Sequence, residues 1–170
     1  VSLSLRKPDL GLIDQLMSSS DFHARAAAVR TLEEHPERID GVYGFLEQAL
    51  ADEHPRVRLE ALHVLRALGG VRAASLASQV YSESMDEVLE FGLWTTMKTL
   101  APDWQSAAVA NPRLFGSDTR ALLFAIRCVD QPEALEPLNV LWKSGEIEEA
   151  AMQDALELLG ELGDTAIVND

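Results

Sequence analysis

Two segments of this 170-residue chain align without a gap. DFHARAAAVRTL (Asp21 to Leu32) falls on HPRVRLEALHVL (His54 to Leu65), matching Arg25 with Arg58, Ala28 with Ala61, Val29 with Leu62 and Leu32 with Leu65. A repeat length in the thirties, with apolar residues every three or four positions, marks pairs of helices stacked in an array. One pair cannot bury its own apolar stripe, whereas neighbours laid in register share a continuous core. The small residues at the repeat midpoints, Ala28, Ala61 and later Ala155, let adjacent helices approach closely.

Helix punctuation carries the array along the whole chain. Pro8-Asp9 precedes Leu10, Ile13 and Leu16, and Ser20-Asp21 caps a second helix running through Val29 and Leu32. Pro36 suits the first turn of a third helix, with Ile39, Val42, Phe45, Leu46 and Leu50 on one stripe. Pro55 does the same for a fourth, with Val57, Ala61, Leu62, Leu65 and Leu68 inward, and Gly69-Gly70 ends it. A fifth helix covers Arg72 to Tyr81. The pattern Ser84-Met85-Asp86-Glu87 reads as a capping box for a sixth, whose apolar set is Val88, Phe91, Leu93, Trp94, Met97 and Leu100. Pro102 begins a short seventh, Ser117 caps an eighth, and Pro132 starts a ninth that ends near Ser144-Gly145. The tenth runs from about Glu146 to Leu162, with Ile147, Ala151, Ala155, Leu158, Leu159 and Leu162 inward. Glu149, Gln153, Glu157 and Glu161 give that helix an acidic wet side. No strand is expected. The reading is all-α, a right-handed α-α superhelix of about five helix pairs forming a single repeat domain over residues 1–170. Pro102 to Ser117 is its least regular part. Because it begins at Val1, the chain reads as a fragment of a larger multidomain protein.

Charge and chemistry narrow the function classes. The net charge is −14, from 28 acidic and 14 basic side chains. From Asp130 onward there are 11 acids against Lys143 alone, so the C-terminal quarter repels polyanions. A nucleic-acid interface needs a local basic face, for which Arg30, Arg56, Arg58, Arg66 and Arg72 are the candidates. Cys128 sits in the apolar run ALLFAIRCV and reads as a small buried hydrophobe, with no base beside it and no disulfide partner. The histidines, His23, His35, His54 and His63, do not place two ligands at i and i+4, so neither a metal nor any other cofactor is expected. Glu33-Glu34 and Glu148-Glu149 diverge around their helices and read as solvated faces. Trp94, Trp104 and Trp142, at helical spacing, read as core, and an exposed one would mark a contact surface. No glycine-rich phosphate loop or serine elbow is present.

The run Asp52-Glu53-His54-Pro55-Arg56-Val57-Arg58-Leu59-Glu60-Ala61 resembles the second helix of HEAT repeats, in which an acidic residue and proline precede a Val-Arg pair and an alanine-rich run. Ser20 to Ala28 is a second copy, and the likeness is strongest over residues 10–69. In the third unit Glu90 replaces the arginine. The resemblance implies that Arg25 and Arg58 tie adjacent repeats, with Asp21 and Asp52 as candidate partners. It also implies that second helices line an inner face presenting Arg30, Glu60, His63, Arg66 and Thr95. The run DEHPRVRLEAL, followed by Leu93, Trp94 and Thr96 and then Pro102-x-Trp104, is similar to the helical-repeat region of large bacterial membrane-bound dehydrogenase and haem-binding proteins. That similarity implies a spacer between redox modules, in the cell envelope or periplasm. The haem-attachment pattern Cys-x-x-Cys-His is absent from this chain.

The expected function is a non-enzymatic scaffold for protein–protein or interdomain contact, without membrane insertion. A nucleic-acid-binding module with a local basic concave face is the alternative. A lyase-type enzyme on the same scaffold would need a deep pocket holding an acid–base pair, of which the sequence carries no trace.

Overall fold

The computed structural model describes residues 9–34, 36, 39–82 and 85–168, with side chains as far as residue 162. Ten α-helices account for most of them: α1 (Leu10–Met17), α2 (Phe22–Arg30), α3 (Val42–Leu50), α4 (Pro55–Leu68), α5 (Gly70–Ala77), α6 (Glu87–Thr99), α7 (Ala101–Ala110), α8 (Thr119–Val129), α9 (Glu136–Ser144) and α10 (Glu149–Val168). No strand occurs among the described residues. The helices lie in two rows. In one, α2 packs on α4, α4 on α6, α6 on α8 and α8 on α10. In the other, α3 packs on α5, α5 on α7 and α7 on α9. Within repeats, α1 meets α2 and α3 meets α4. This is an α-α superhelix. Its buried apolar residues form one cluster running from Ile13 to Leu162.

The starts of α4, α6 and α8 are regularly spaced, at Pro55, Glu87 and Thr119, so corresponding side chains recur along the second-helix row. Ala28, Ala61 and Ala155 are fully buried at its seams, as their size requires. At Gly92 a Cβ would stand 2.3 Å from Leu59 Cδ1, so α4 nests its leucine against bare α6 backbone. Between α4 and α5 the chain turns through Gly69 and Gly70, at φ 71° and 82°. Side chains are strained in that left-handed region, so paired glycines allow one helix to end and the next to begin with no linker. The Gly70 N–H then donates to Asp103 Oδ2 of α7 at 2.8 Å, which caps α5 from the following repeat.

Several element ends differ from the sequence expectation, for local reasons. The third helix begins at Val42 rather than Pro36: Gly41, at φ 75°, sets its start after a turn. The eighth is capped by Asp118, not Ser117, because the Asp118 carboxylate accepts the Arg120 N–H at 3.0 Å. The sixth is capped by Asp86, which accepts from Val88 and Leu89; Ser84 lies outside the described residues. The fifth starts at Gly70 and closes in a 3-10 turn, Ser78–Val80. Pro132 opens a 3-10 turn ahead of α9, and α10 begins at Glu149 and continues to Val168. Pro102 to Ser117 is irregular only after Ala110, since α7 occupies its first half. Glu149, Gln153, Glu157 and Glu161 do form an exposed acidic side on α10.

Candidate functional site

Of the two repeat arginines, Arg25 reaches across to the next repeat, whereas Arg58 bonds the turn before its own helix and does not make the expected tie to a neighbouring repeat among the described residues. Arg25 on α2 is buried and forks onto Asp52, with Nε to Oδ2 at 2.7 Å and Nη2 to Oδ1 at 2.9 Å. Its Nη1 donates to the carbonyls of Ser19 and Ser20. Asp52 also accepts the His54 N–H at 2.9 Å, which fixes the turn into α4. Burial pushes the Asp52 carboxyl up, but the Arg25 and His54 hydrogen bonds outweigh it and hold the group below the usual carboxylate range. Arg58 repeats the inward half of this pattern, donating to the carbonyls of Asp52 at 2.7 Å and Glu53 at 3.1 Å. Thus Asp52, not Asp21, is the acidic tie of the first two repeats. Arg58→Ala strips a charged donor from two carbonyls, costing about 1–3 kcal/mol. We expect a melting point lower by several degrees when unfolding is followed by circular dichroism; an unchanged one would sink the structural role.

A second ionic cluster sits where the sequence places an outward-facing surface. Glu60 on α4 is only 2% exposed, so it lies beneath that surface rather than on it. Arg30 of α2 reaches across, with Nε to Oε2 at 3.2 Å and Nη2 on Oε1. Arg56 Nη2 stands 2.7 Å from Oε1, and His63 Nδ1 3.7 Å from Oε2. Burial alone would raise the Glu60 carboxyl; the Arg30 hydrogen bond and the charges of Arg56, Arg30 and His63 lower it. The carboxylate therefore neutralises two arginines that a polyanion would require. Arg72, on α5 in the other row, lies over the Tyr43 ring at 3.9 Å and 3.5 Å from Glu47. Arg66 is half-buried on α4 beyond His63. Thr95 is half-buried on α6, and its hydroxyl donates to the Phe91 carbonyl at 2.9 Å. The structure thus joins Arg30, Glu60 and His63 and adds Arg56; Arg66 and Thr95 stand further along the same row.

The aromatic residues divide. Trp104 is core, and its Nε1 donates to the Met97 carbonyl at 2.9 Å. Trp94 and Trp142 are exposed instead, as are Val88 and Phe91, which helical spacing had grouped with the core. Phe91 is 67% exposed, and its ring lies near-parallel to that of Trp94, with centroids 6.0 Å apart. Lys98 Nζ sits 4.6 Å from the Trp94 ring centroid. A surface hollow of about 360 Å³ is lined by Glu87, Glu90, Phe91 and Trp94.

The remaining titratable groups have structural settings. Glu148 is not a free surface acid: it accepts from Arg113 Nη1 at 2.6 Å and from the Thr119 hydroxyl and N–H, so it caps α8 from the loop before α10. Arg113 also donates to the Ser117 carbonyl, holding the irregular segment in place. Cys128 is buried, and that burial pushes its thiol up to about 12, far from a nucleophile's range. The His54 ring stacks on Phe22 at 3.5 Å, His23 tilts against the same Phe22 ring, and His35 lies outside the described residues. Among the described residues no group of three His, Cys, Asp or Glu is placed to hold a metal ion. No helix among them is long and apolar enough to cross a membrane.

Comparison with known proteins agrees with this arrangement. Residues 10–91 match the family model for HEAT repeats, a span reaching from α1 into α6. No curated protein and no solved structure matches the chain. That segment is similar to HEAT repeats, a family whose members generally serve as protein-interaction scaffolds and are typically non-catalytic.

Proposed function

We propose that this protein is a non-catalytic scaffold whose second-helix row holds a protein partner or an adjacent domain of the same chain. The observation that carries the reading is the composition of that row. It exposes Phe91 and Trp94 on α6 and carries Arg30 on α2, His63 and Arg66 on α4 and Thr95 on α6, on helices fixed by a shared core. Aromatic side chains on rigid elements are what protein interfaces use as anchors. Against nucleic acid stands the enclosure of Glu60 by Arg30 and Arg56, together with the place of Arg72 on the other row. In its narrower form the proposal makes this chain the spacer between redox modules of a larger envelope or periplasmic dehydrogenase. The similarity around Asp52 to Leu62, Leu93, Trp94 and Trp104 supports that form.

The test is photo-crosslinking from the protein as it occurs in its cells. A benzophenone side chain replaces His63 or Thr95 on the second-helix row, or Val140 on α9 as the control. Protein adducts of defined mass from the first two positions and not from Val140 are expected. Nuclease-sensitive adducts, or equal yields from both rows, would overturn the scaffold reading.

A further inference from the structure

The exposed aromatic pair on α6 is a break in the repeat. Leu59 of α4 is buried because Gly92 of α6 leaves room for it. One repeat later the corresponding residues are Phe91 and, on α8, Phe124. Phe124 carries a ring that tilts against Tyr81 at 5.3 Å. α8 thus carries a side chain at the repeat position where α6 has bare backbone. Phe91 is left outside, next to Trp94 and Val88.

The charges around the pair say what suits it. Glu87 lies one turn before Phe91, and Glu90 one turn before Trp94, so each ring has a carboxylate beside it on the helix surface. Both carboxylates line the hollow with the two rings. Neither Glu87 nor Glu90 has an ion-pair partner among the contacts of the described residues, whereas the buried acids Asp52 and Glu60 are paired. An aromatic face next to a carboxylate is the chemistry that holds an ammonium or guanidinium group. The chain already shows it locally, with Lys98 over the Trp94 ring. The ring of Phe91 offers a second such face.

We infer that the hollow formed by Glu87, Glu90, Phe91 and Trp94 is a docking site for a basic, amphipathic protein segment. An apolar side chain of the segment rests against Phe91 and Trp94, and its lysines or arginines meet Glu87 and Glu90. The chain's net charge of −14 draws such a segment in, and the rings give it register. This rests on the scaffold reading and gives it a partner chemistry.

The probe is a short synthetic amphipathic peptide with leucine on one face and lysine and arginine on the other. Its counterpart has every base replaced by glutamate. Binding is read from tryptophan fluorescence in a Trp142→Phe background, which leaves the exposed Trp94 and the buried Trp104. The basic peptide is expected to bind, the acidic one not. Phe91→Ala should weaken binding about tenfold or more, the range of an interface anchor. Glu87→Gln with Glu90→Gln should weaken it and flatten its dependence on salt. All three side chains are exposed, so the variants should melt like the parent. Equal binding of the acidic peptide would overturn the inference, and so would basic-peptide binding indifferent to Phe91→Ala, which would mean attraction to the acidic chain at large. Self-association of the protein abolished by Phe91→Asp would assign the site to a second copy and overturn it too. If Phe91→Ala is silent while row-specific crosslinks persist, this site fails and the scaffold stands.

Discussion

The double variant Arg30→Ala/Arg56→Ala should melt on the order of 10 °C lower at neutral pH and show a reversed response to acid. Removing the partners of a buried charge typically costs about 3–5 kcal/mol, because the remaining ion stays desolvated. Glu60 is such an ion, 2% exposed and held by those two arginines with His63 beside it. In the parent its carboxyl is lowered: burial opposes ionisation, but the Arg30 hydrogen bond and the three nearby positive groups prevail. A lowered group stabilises the fold above its unfolded value, about 4.3 for glutamate, and that contribution is lost as pH falls through the folded value. In the variant burial is left largely unopposed, and the carboxyl is raised. The folded state then binds a proton that the unfolded state does not, so stability rises as pH falls from about 7 toward 5. Adding Glu60→Gln to the double variant should remove the reversal, since an amide has no charge to desolvate. Melting curves at several pH values decide it. A double variant whose profile runs parallel to the parent's would show that the arginines do not hold this carboxylate.

The same cluster shows which parts of the molecule sequence patterning conveys. Arg25, Arg58 and the alanine seams are repeated, so their common role can be seen by laying one copy on the other. Glu60 is not repeated. Its position on α4 puts it outward by helical phase, and its burial comes from a neighbour's side chain: Arg30 reaches over from α2 to cover it. The hint available in the sequence was an arginine one turn before it, at Arg56, with another at Arg30 in the preceding unit. Phe91 is the opposite case. Periodicity groups it with Leu93 and Met97, yet it is exposed, and the next repeat carries Phe124 at the position where the earlier one has Gly92. Helix starts failed at Pro36 and Ser117 for a simpler reason. Several residues within a turn could cap, and the competition was won by Gly41 and Asp118 through backbone geometry and a hydrogen bond.

Trp104→Ala should divide the molecule's unfolding in two. Trp104 is the bulkiest fully buried side chain, and removing a buried tryptophan costs about 3–5 kcal/mol through lost contacts and the cavity left behind. It lies on α7, donates to the Met97 carbonyl of α6, and meets Phe115 edge-on at 5.4 Å. It therefore joins the two rows just beyond the best-matched repeats. In a stack, each repeat is stabilised by its immediate neighbours and not by the whole. The loss should then fall on α6 to α9, while the Arg25–Asp52 tie and the seam of Ala28 and Ala61 keep α2 to α4 folded. Amide hydrogen exchange is the measurement. A local cost of about 3 kcal/mol corresponds to roughly hundredfold faster exchange in α6 to α9. Exchange in α2 and α4 should change little, and the denaturant transition should broaden or separate. Equal acceleration in every helix would mean that the chain unfolds as one cooperative unit, and the nearest-neighbour account of its stability would fail.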